Sequence, residues 1–370
     1  MPPRSALPPL TLAAEEAAAR AAAEAAEEDE EKPLGVAPPA PPSIASKLRE
    51  QGQAPRHPAM PLLFPESFGS SSRARPAEEE EVFVVTVQAK RRLTPLDYSR
   101  NIFHIEFDTT GTGLKYDIGA ALGVFGHNDP KEVDSFLRLY GLDGTRAVTM
   151  PPPELMAEGG AARELPPGCA ETTTVRRAFT QLLDLFGRPG KKFYEKLGEY
   201  ATDIEERTRL FYYATQEGKD AYRRRAEEEN VTFADVLRDF PSARPSLVDL
   251  LTLIPAIKPR HYSIASSQRV HPGSVHLLVV LVDWTDAKGR TRTGQCTRYM
   301  NDLQIGESVA VSIKPSVMLL PPDHRSPVIM AGLGTGMAPF RAFVEERAWL
   351  KQQGHEVGPM VLYFGSRHRH

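Results

Sequence analysis

Cysteine is nearly missing from this chain. Cys169 and Cys296 are its two cysteines in 370 residues, which excludes a disulfide scaffold and a cysteine-rich zinc or iron–sulfur site. It also fits a reducing compartment. An excess of one charge is missing too. The formal net charge is −3, without the basic surplus of a nucleic-acid binder. Long apolar runs are absent: the most apolar stretch, residues 277–282, is too short to cross a bilayer, so no membrane partner is expected. Residues 13–31 are rich in Ala and Glu, whereas organelle transit peptides are poor in acid. The cytosol is therefore the expected compartment. No metal site is expected either, since His368 and His370 are too few and too near a frayed end.

Residues 1–80 carry fourteen of the 33 prolines, beside Ala and Glu runs. Such a segment buries too little apolar surface to fold alone and reads as a disordered stretch or linker. Order begins near Val82. Residues 82–87 and 101–107 are β-rich, with Pro95 and Asp97 as turn residues between them. Residues 108–113 form a Thr/Gly loop after the second strand. A phosphate-cradling loop needs a helix behind it, but residues 114–119 resume a strand-like pattern, so a hairpin loop is expected. Residues 122–125 read as a strand. His127-Asn128-Asp129-Pro130 is a turn that starts a helix over 131–140. Residues 145–172 look irregular.

From Thr174 the apolar period becomes helical, with Val175, Phe179, Leu182, Leu183 and Phe186 in register. Helices are expected at 191–201, 204–216, 219–229, 233–240 and 246–253, with breakers at Pro189-Gly190, Gly218 and Pro241. The aromatics of this block read as core. The β pattern returns at Arg260, where Pro259 limits the strand to a first or edge position. Residues 274–282 and 309–313 add strands. Between them lies Thr293-Gly294-Gln295-Cys296-Thr297, with a short helix able to start at Arg298. Gly294 and Thr297 at a helix start would aim free N–H groups at an anion. Strands, a helical insert and more strands suggest a small antiparallel barrel with a helical excursion.

A third unit opens at Pro327. Val328-Ile329-Met330 is a buried-type strand that runs into Gly332-Leu333-Gly334-Thr335-Gly336-Met337-Ala338-Pro339. Pro339 suits a first helical turn. Phe340, Phe343, Val344 and Leu350 supply an apolar helix face, Gly354 ends the helix, and residues 360–364 are the next strand. This is one βαβ unit, expected to be right-handed. Its G-x-G-x-G spacing fits the dinucleotide fingerprint loosely, but backbone N–H groups at a helix N-terminus still suit a pyrophosphate. One βαβ unit is too small for a complete nucleotide domain, so the chain reads as a fragment whose last unit is incomplete and poorly packed.

The segment Arg260-His261-Tyr262-Ser263-Ile264-Ala265-Ser266 offers a cation for a phosphate, a flat ring for stacking and a small hydroxyl. Strict alternation puts Ser263 on the face opposite Tyr262, so both reach one ligand only through a bend. His261 reads as a packing or surface histidine. Cys296 reads as a small residue at a turn rather than a redox thiol.

Taken together, residues 82–370 resemble the ferredoxin–NADP reductase module of the diflavin reductases. That family includes cytochrome P450 reductase and the flavoprotein (alpha) component of NADPH-dependent assimilatory sulfite reductase. Besides the Arg260 segment, the motifs are Gly294-Gln295-Cys296-Thr297, Gly332 to Arg341, and Phe364-Gly365-Ser366-Arg367. The glycine-rich motifs look closest to the fungal sulfite reductase flavoproteins.

The resemblance implies an α+β then α/β fold. An antiparallel FAD-binding barrel would span 81–326 with a helical connecting insertion at about 131–256, and a truncated Rossmann-like NADP unit would occupy 327–370. It implies FAD and NADPH as cofactors, with FMN not expected because no flavodoxin-like domain precedes Val82. It implies Arg260 on the FAD pyrophosphate, Tyr262 stacked on the isoalloxazine and Ser263 as the catalytic residue near N5. Gly294, Gln295, Cys296 and Thr297 would close over the FAD phosphates. Gly334, Thr335 and Gly336 would meet the NADPH pyrophosphate, with Arg367 by the adenosine phosphate. The implied activity is electron transfer from NADPH through FAD to a sulfite reductase hemoprotein (beta) subunit. Two alternatives stand beside it: a reductase with another acceptor, and a catalytically silent FAD-binding fragment.

Overall fold

A computed structural model describes residues 82–149, 172–287 and 289–365, and every structural statement below concerns these. The readings made for residues 1–81, for 150–171 and for Arg367 lie outside the described residues.

In chain order the first half holds β1 (Val82–Arg92), β2 (Ile102–Asp108), β3 (Ala121–Val124), α1 (Pro130–Tyr140), β4 (Ala147–Thr149) and β5 (Thr172–Thr174). Then come α2 (Lys191–Gly198), α3 (Ile204–Ala214), α4 (Lys219–Arg223), α5 (Phe233–Asp239) and α6 (Leu247–Leu253). After β6 (Arg260–Ser263) and β7 (Ser274–Val280), a hairpin of β8 (Asp283–Thr285) and β9 (Thr291–Thr293) leads to α7 (Gln295–Asp302) and β10 (Ser308–Lys314). The last unit is β11 (Val328–Leu333), α8 (Ala338–Gln352) and β12 (Met360–Gly365). The whole is a mixed α/β structure.

Six strands form one antiparallel sheet in the order β6-β3-β10-β1-β2-β7. Period-two alternation explains its inner face: Val85, Val87, Phe103, Ile105, Phe107, Leu122 and Val124 are all buried. Burying each of the larger of these side chains stabilises by about 1.5–3 kcal/mol. The two edge strands also meet. Ile264, just past β6, bridges Leu277 of β7, and the Ala265 amide donates to the His276 carbonyl at 2.8 Å. β1 continues beyond the expected residues 82–87 because a bulge between Val87 and Ala89 keeps it paired with β2. Past the bulge Lys90 donates to the Asn301 carbonyl at 2.7 Å and to that of Leu303. It thereby satisfies carbonyls left open at the C-terminus of α7.

Helices α1 to α6 all lie in the chain between β3 and β6, yet those two strands are neighbours, with Leu122 opposite Tyr262 and Val124 opposite Arg260. The helices have their own core, from Val133 in α1 to Ile254 after α6, separate from the core of the sheet. Local capping sets their starts. Asp129 caps α1, and Thr232/Asp235 and Ser246/Asp249 form capping boxes on α5 and α6.

Three sequence expectations change here. The helical period from Val175 is realised only as a turn at Val175–Arg177 followed by a π-helix at Ala178–Leu182. Leu183 then leaves the helix to bridge Ala256, and the Asp184 amide donates to the Pro255 carbonyl. The buried Asn128 amide donates to both the Phe179 and Leu183 carbonyls at 2.7 Å, which holds the widened turn open. The segment 114–119 joins no ladder. Its expected partner is replaced by one side chain: Gln268 accepts from the Tyr116 amide at 3.0 Å and donates to the Leu114 carbonyl at 3.2 Å. The third change is at α7, which starts at Gln295 rather than Arg298, with Gly294 as its N-cap.

β11 and β12 pair in parallel from Val328↔Met360 to Leu333↔Gly365. A 3-10 turn at Gly334–Met337 joins β11 to α8, which has Pro339 in its first turn. Gly334 takes φ +53, a left-handed backbone that side chains disfavour. Residues 361–364 of β12 are exposed, Tyr363 and Phe364 each at 65 %.

Candidate functional site

A cleft of about 580 Å³ opens where β6, β7, the start of α1, the β8–β9 hairpin and the N-terminus of α7 meet. Arg260, Tyr262, Gly294, Gln295, Cys296 and Thr297 all line it, and so does Thr335 from the turn before α8. Residues far apart in sequence thus face one space.

Each wall has a local cause. Tyr262 is half-buried against the sheet core. Burial raises the phenol's pKa, and the neighbouring Cys296 thiol adds to the rise. Cys296 is 4 % exposed, its thiol lies 3.6 Å from the Val124 carbonyl, and burial pushes it up to about 11. A Cβ on the neighbouring Gly126 would come within 2.8 Å of the Cys296 Cα, so that glycine is what lets α7 approach the end of β3. The side chains of the Gly294–Thr297 motif face inward on the protein. Thr297 Oγ1 accepts from the Val282 amide at 3.2 Å and donates to the Gly294 carbonyl at 3.1 Å. Gln295 Nε2 donates to Asn128 Oδ1 at 2.9 Å. α7 has no side-chain cap, so its first-turn amides have no side-chain acceptor.

Arg260 is exposed. Asp184 lines the same cleft. Burial raises its carboxyl pKa, against the pull of the Arg260 charge. Trp284 on β8 offers a partly exposed indole, 39 % accessible, at the rim. Arg298 is held by the His127 carbonyl at 2.8 Å and by Asp302 at 3.0 Å. Asp184, Trp284 and Asn128 carry no site motif and Arg298 only continues the Gly294–Thr297 one, and sequence reasoning gave none of them a place in the site. Its one available signal was that Trp284 is one of two tryptophans.

Ser263 is not among the residues lining this cleft. Strand alternation holds: Tyr262 is half-buried, and Ser263, opposite Ala121, is exposed. Gly334 and Gly336 flank Thr335 without lining the cleft themselves. Beyond them Met337, Ala338 and Arg341 line a second cleft of about 460 Å³ with Lys90, Arg91, His104 and Glu106. The turn before α8 therefore stands between two openings.

Beside the second cleft, donor atoms of His104, Glu106 and His276 lie within 4.8 Å of one another. Glu106 is already bound to His104 at 2.9 Å. Arg341 Nη1 lies 3.4 Å from His276 Nδ1, which places the neutral ring's proton on Nε2, the atom facing Glu106. With that tautomer and a guanidinium alongside, the cluster is a hydrogen-bonded ion group rather than a cation site.

The chain was compared with known proteins. It is 49 % identical over 311 residues to the sulfite reductase [NADPH] flavoprotein component of Saccharomyces cerevisiae, covering 84 % of this chain and 29 % of that protein. It is 46 % identical over 309 residues to the probable sulfite reductase [NADPH] flavoprotein component of Schizosaccharomyces pombe, covering 84 % and 30 %. It is 34 % identical over 300 residues to NADPH–cytochrome P450 reductase of Cavia porcellus, covering 79 % and 43 %. The chain thus spans about three tenths of the two fungal relatives' length. No helix among the described residues is long and apolar enough to cross a membrane. The FAD binding domain family matches residues 75–299, more than half of the sequence, and the chain belongs to that family.

Proposed function

We propose that the cleft between Tyr262 and α7 seats FAD and that the chain is the FAD- and NADPH-binding part of a sulfite reductase flavoprotein. The observation that carries this is the meeting of Arg260, Tyr262, the uncapped α7 N-terminus and Thr335 around one space. The residues suit the group. Arg260 supplies a charge for a pyrophosphate, and the amides of Gln295, Cys296 and Thr297 supply donors at a helix start. Gly294 keeps that start open, since a Cβ there would meet Thr297 Oγ1 at 2.8 Å. Tyr262 and Trp284 offer flat faces for rings.

Bound FAD supplies the redox chemistry, taking a hydride from NADPH and passing electrons on singly. The chain's own work is to hold and orient. Arg260 fixes the pyrophosphate, Tyr262 the ring plane, and Gly334, Thr335 and Gly336 the NADPH pyrophosphate beside it. Ser263 lies on the exposed face of β6, where it borders incoming nicotinamide rather than the Tyr262 side. Arg367 keeps its proposed role near the adenosine phosphate.

On this reading the six-stranded sheet is an FAD-binding barrel closed at the Ile264–Leu277 bridge. The helices between β3 and β6, about residues 131–256, are a connecting insertion within 81–326. Residues 327–370 are the NADP-binding part, and residues 1–80 a linker. The separate helical core supports that division. The electron acceptor is the hemoprotein (beta) subunit of sulfite reductase, in the cytosol. The higher identity to the fungal sulfite reductase flavoproteins than to P450 reductase favours this acceptor.

The test is reconstitution. Chain supplied with excess FAD is expected to retain a flavin spectrum after gel filtration, and NADPH is expected to bleach it. A colourless protein overturns the reading; a coloured one that NADPH leaves unchanged removes the NADPH part.

A further inference from the structure

The contact between α8 and the segment that follows β6 is polar and dense, buried at Ser267 and Glu346 and open to solvent at Arg341. Ala265, Ser266 and Ser267 are all at or below 1 % exposure, though they directly continue the strand that carries Tyr262 and Ser263. Three α8 side chains grip them. Arg341 donates to the Ala265 carbonyl. Glu345 accepts from the Ser267 amide at 3.0 Å, and Glu346 accepts from the Ser267 hydroxyl at 2.6 Å. Arg341 is in turn held by Glu345 at 2.7 Å. Arg269 closes the group, bound to Glu346 at 2.8 Å and lying over the Trp349 ring at 5.2 Å.

The loop side is equally fixed. The Ser266 hydroxyl pairs with Tyr116 at 2.9 Å and accepts from the His276 amide at 3.1 Å. Glu346 is only 7 % exposed. A buried carboxylate with good hydrogen bonds on both oxygens gives one defined geometry, and removing either partner leaves an unsatisfied buried group. This is a costly contact to place at a joint unless the joint must be rigid.

What lies at each end of α8's grip is informative. Arg341 is four residues from Met337, the last residue of the turn that carries Thr335. Ala265 is two residues from Ser263. The bridge therefore ties the turn on one wall of the cleft to the strand on the other by a path of very few bonds. α8 and its turn are one rigid piece, so the lock sets the distance between the two walls and not the shape of either.

We propose that Arg341 and Glu346 are positioning residues that fix the nucleotide turn of α8 against the flavin strand β6. This rests on the FAD and NADPH reading given above. Neither residue acts on a reacting atom. Both act through Ala265 and Ser267, and their loss shifts one wall against the other. A displacement near 1 Å between reacting partners costs up to about a hundredfold in rate, whereas a pyrophosphate carried by the turn keeps its own contacts.

The experiment compares the FAD-loaded full chain with its Arg341→Met, Arg341→Lys and Ser267→Ala forms. The last removes the hydroxyl that Glu346 holds without touching α8. Flavin content and NADP+ affinity by calorimetry are expected to stay within about twofold. The rate of flavin bleaching by NADPH is expected to fall about tenfold or more in Arg341→Met and Ser267→Ala, with partial recovery in Arg341→Lys. Amide hydrogen exchange at 265–267, where the contact is made, is expected to quicken in the two impaired forms, with no change at 334–337. Variants that bleach at the parent rate, or whose NADP+ affinity falls in step with the rate, overturn the proposal. A parent chain that takes up no FAD, or keeps its colour under NADPH, overturns the redox reading and this proposal with it.

Discussion

The phenol of Tyr262 and the thiol of Cys296 are electrostatic neighbours where β6 meets α7. The pair sets the ring face of the cleft beside the first turn of α7, and both residues line the same space. Burial disarms the thiol, against the lowering effect of the Tyr262 hydroxyl. Burial pushes Cys296 up to about 11, and the thiolate is the nucleophile. In a Cys169→Ser background at pH 8, Cys296 is expected to react with a disulfide reagent about a hundredfold more slowly in the folded chain than in the denatured one. Equal rates in the two states would show that the thiol is open, and with it the join of β6 and α7.

Arg260 is expected to dominate FAD affinity from the protein side. Its guanidinium is the charged donor on β6 facing the cleft, and charge-assisted hydrogen bonds contribute about 1.5–3 kcal/mol each. Arg260→Ala is therefore expected to weaken FAD binding about 10- to 100-fold, with a smaller loss in Arg260→Lys, which cannot fork onto two oxygens. Fluorescence titration of free FAD measures this directly. An Ala variant that retains parental affinity would move the pyrophosphate elsewhere.

Asp184 is expected to oppose FAD and to make binding pH-dependent. Burial raises its pKa above the ordinary 3.8. A raised carboxyl pKa means that the charged form is penalised in the folded state. The penalty is absent below pH 3.8 and complete once pH exceeds the raised value. A phosphate brought into the same cleft raises the carboxyl further, so binding takes up a proton and weakens as pH rises through this range. Asp184→Asn is expected to tighten FAD about 3- to 10-fold at neutral pH and to flatten the affinity profile on the acid side. Unchanged affinity with an unchanged profile would remove Asp184 from the site.

The parts of this site that were legible in the sequence are those whose chemistry is local. Arg260 and Tyr262 sit two apart on one short strand, and Gly334-Thr335-Gly336 precede a helix with Pro339 in its first turn. Asp184 and Trp284 gave no such signal, because their place depends on how the helical block and the β8–β9 hairpin fold back on the cleft. The same holds for the fold. The helical period around Val175 was plain, but Asn128, some fifty residues earlier, opens that helix into a π-turn. Leu114 and Tyr116 alternate like a strand, yet the partner is the Gln268 amide. The Gly294–Thr297 motif was found by its residue types, whereas its Gln295 and Thr297 side chains bond within the protein. Ser263 was paired with Tyr262 by motif, and in β6 it is the exposed neighbour of that half-buried ring.

His276 supplies a test at the other side of the sheet, where β7 meets α8. The ring is 3 % exposed. Burial is the main cause of its depressed pKa, about 4. Glu106 on β2 pulls it upward, while His271, His104 and Arg341 push it down. Glu345 of α8 faces the same group through His271, at 3.4 Å. The sign follows from proton counting. Between pH 6.5 and 4 the unfolded histidine binds a proton that the folded one refuses, so stability falls as pH falls through that window. The contribution is on the order of 1–3 kcal/mol, reduced by the attraction of Glu106. Above pH 6.5 it is fully retained. Carboxylates titrate in the same range, so the measurable quantity is the difference between the parent and His276→Gln, which keeps polar atoms near Ser274 and Arg341 but binds no proton. Urea unfolding from pH 7.5 to 4.5 is expected to show the parent losing stability more steeply than the variant. Parallel curves would mean that His276 is protonated in the folded chain, and that the Arg341–His276 contact at 3.4 Å does not persist in solution.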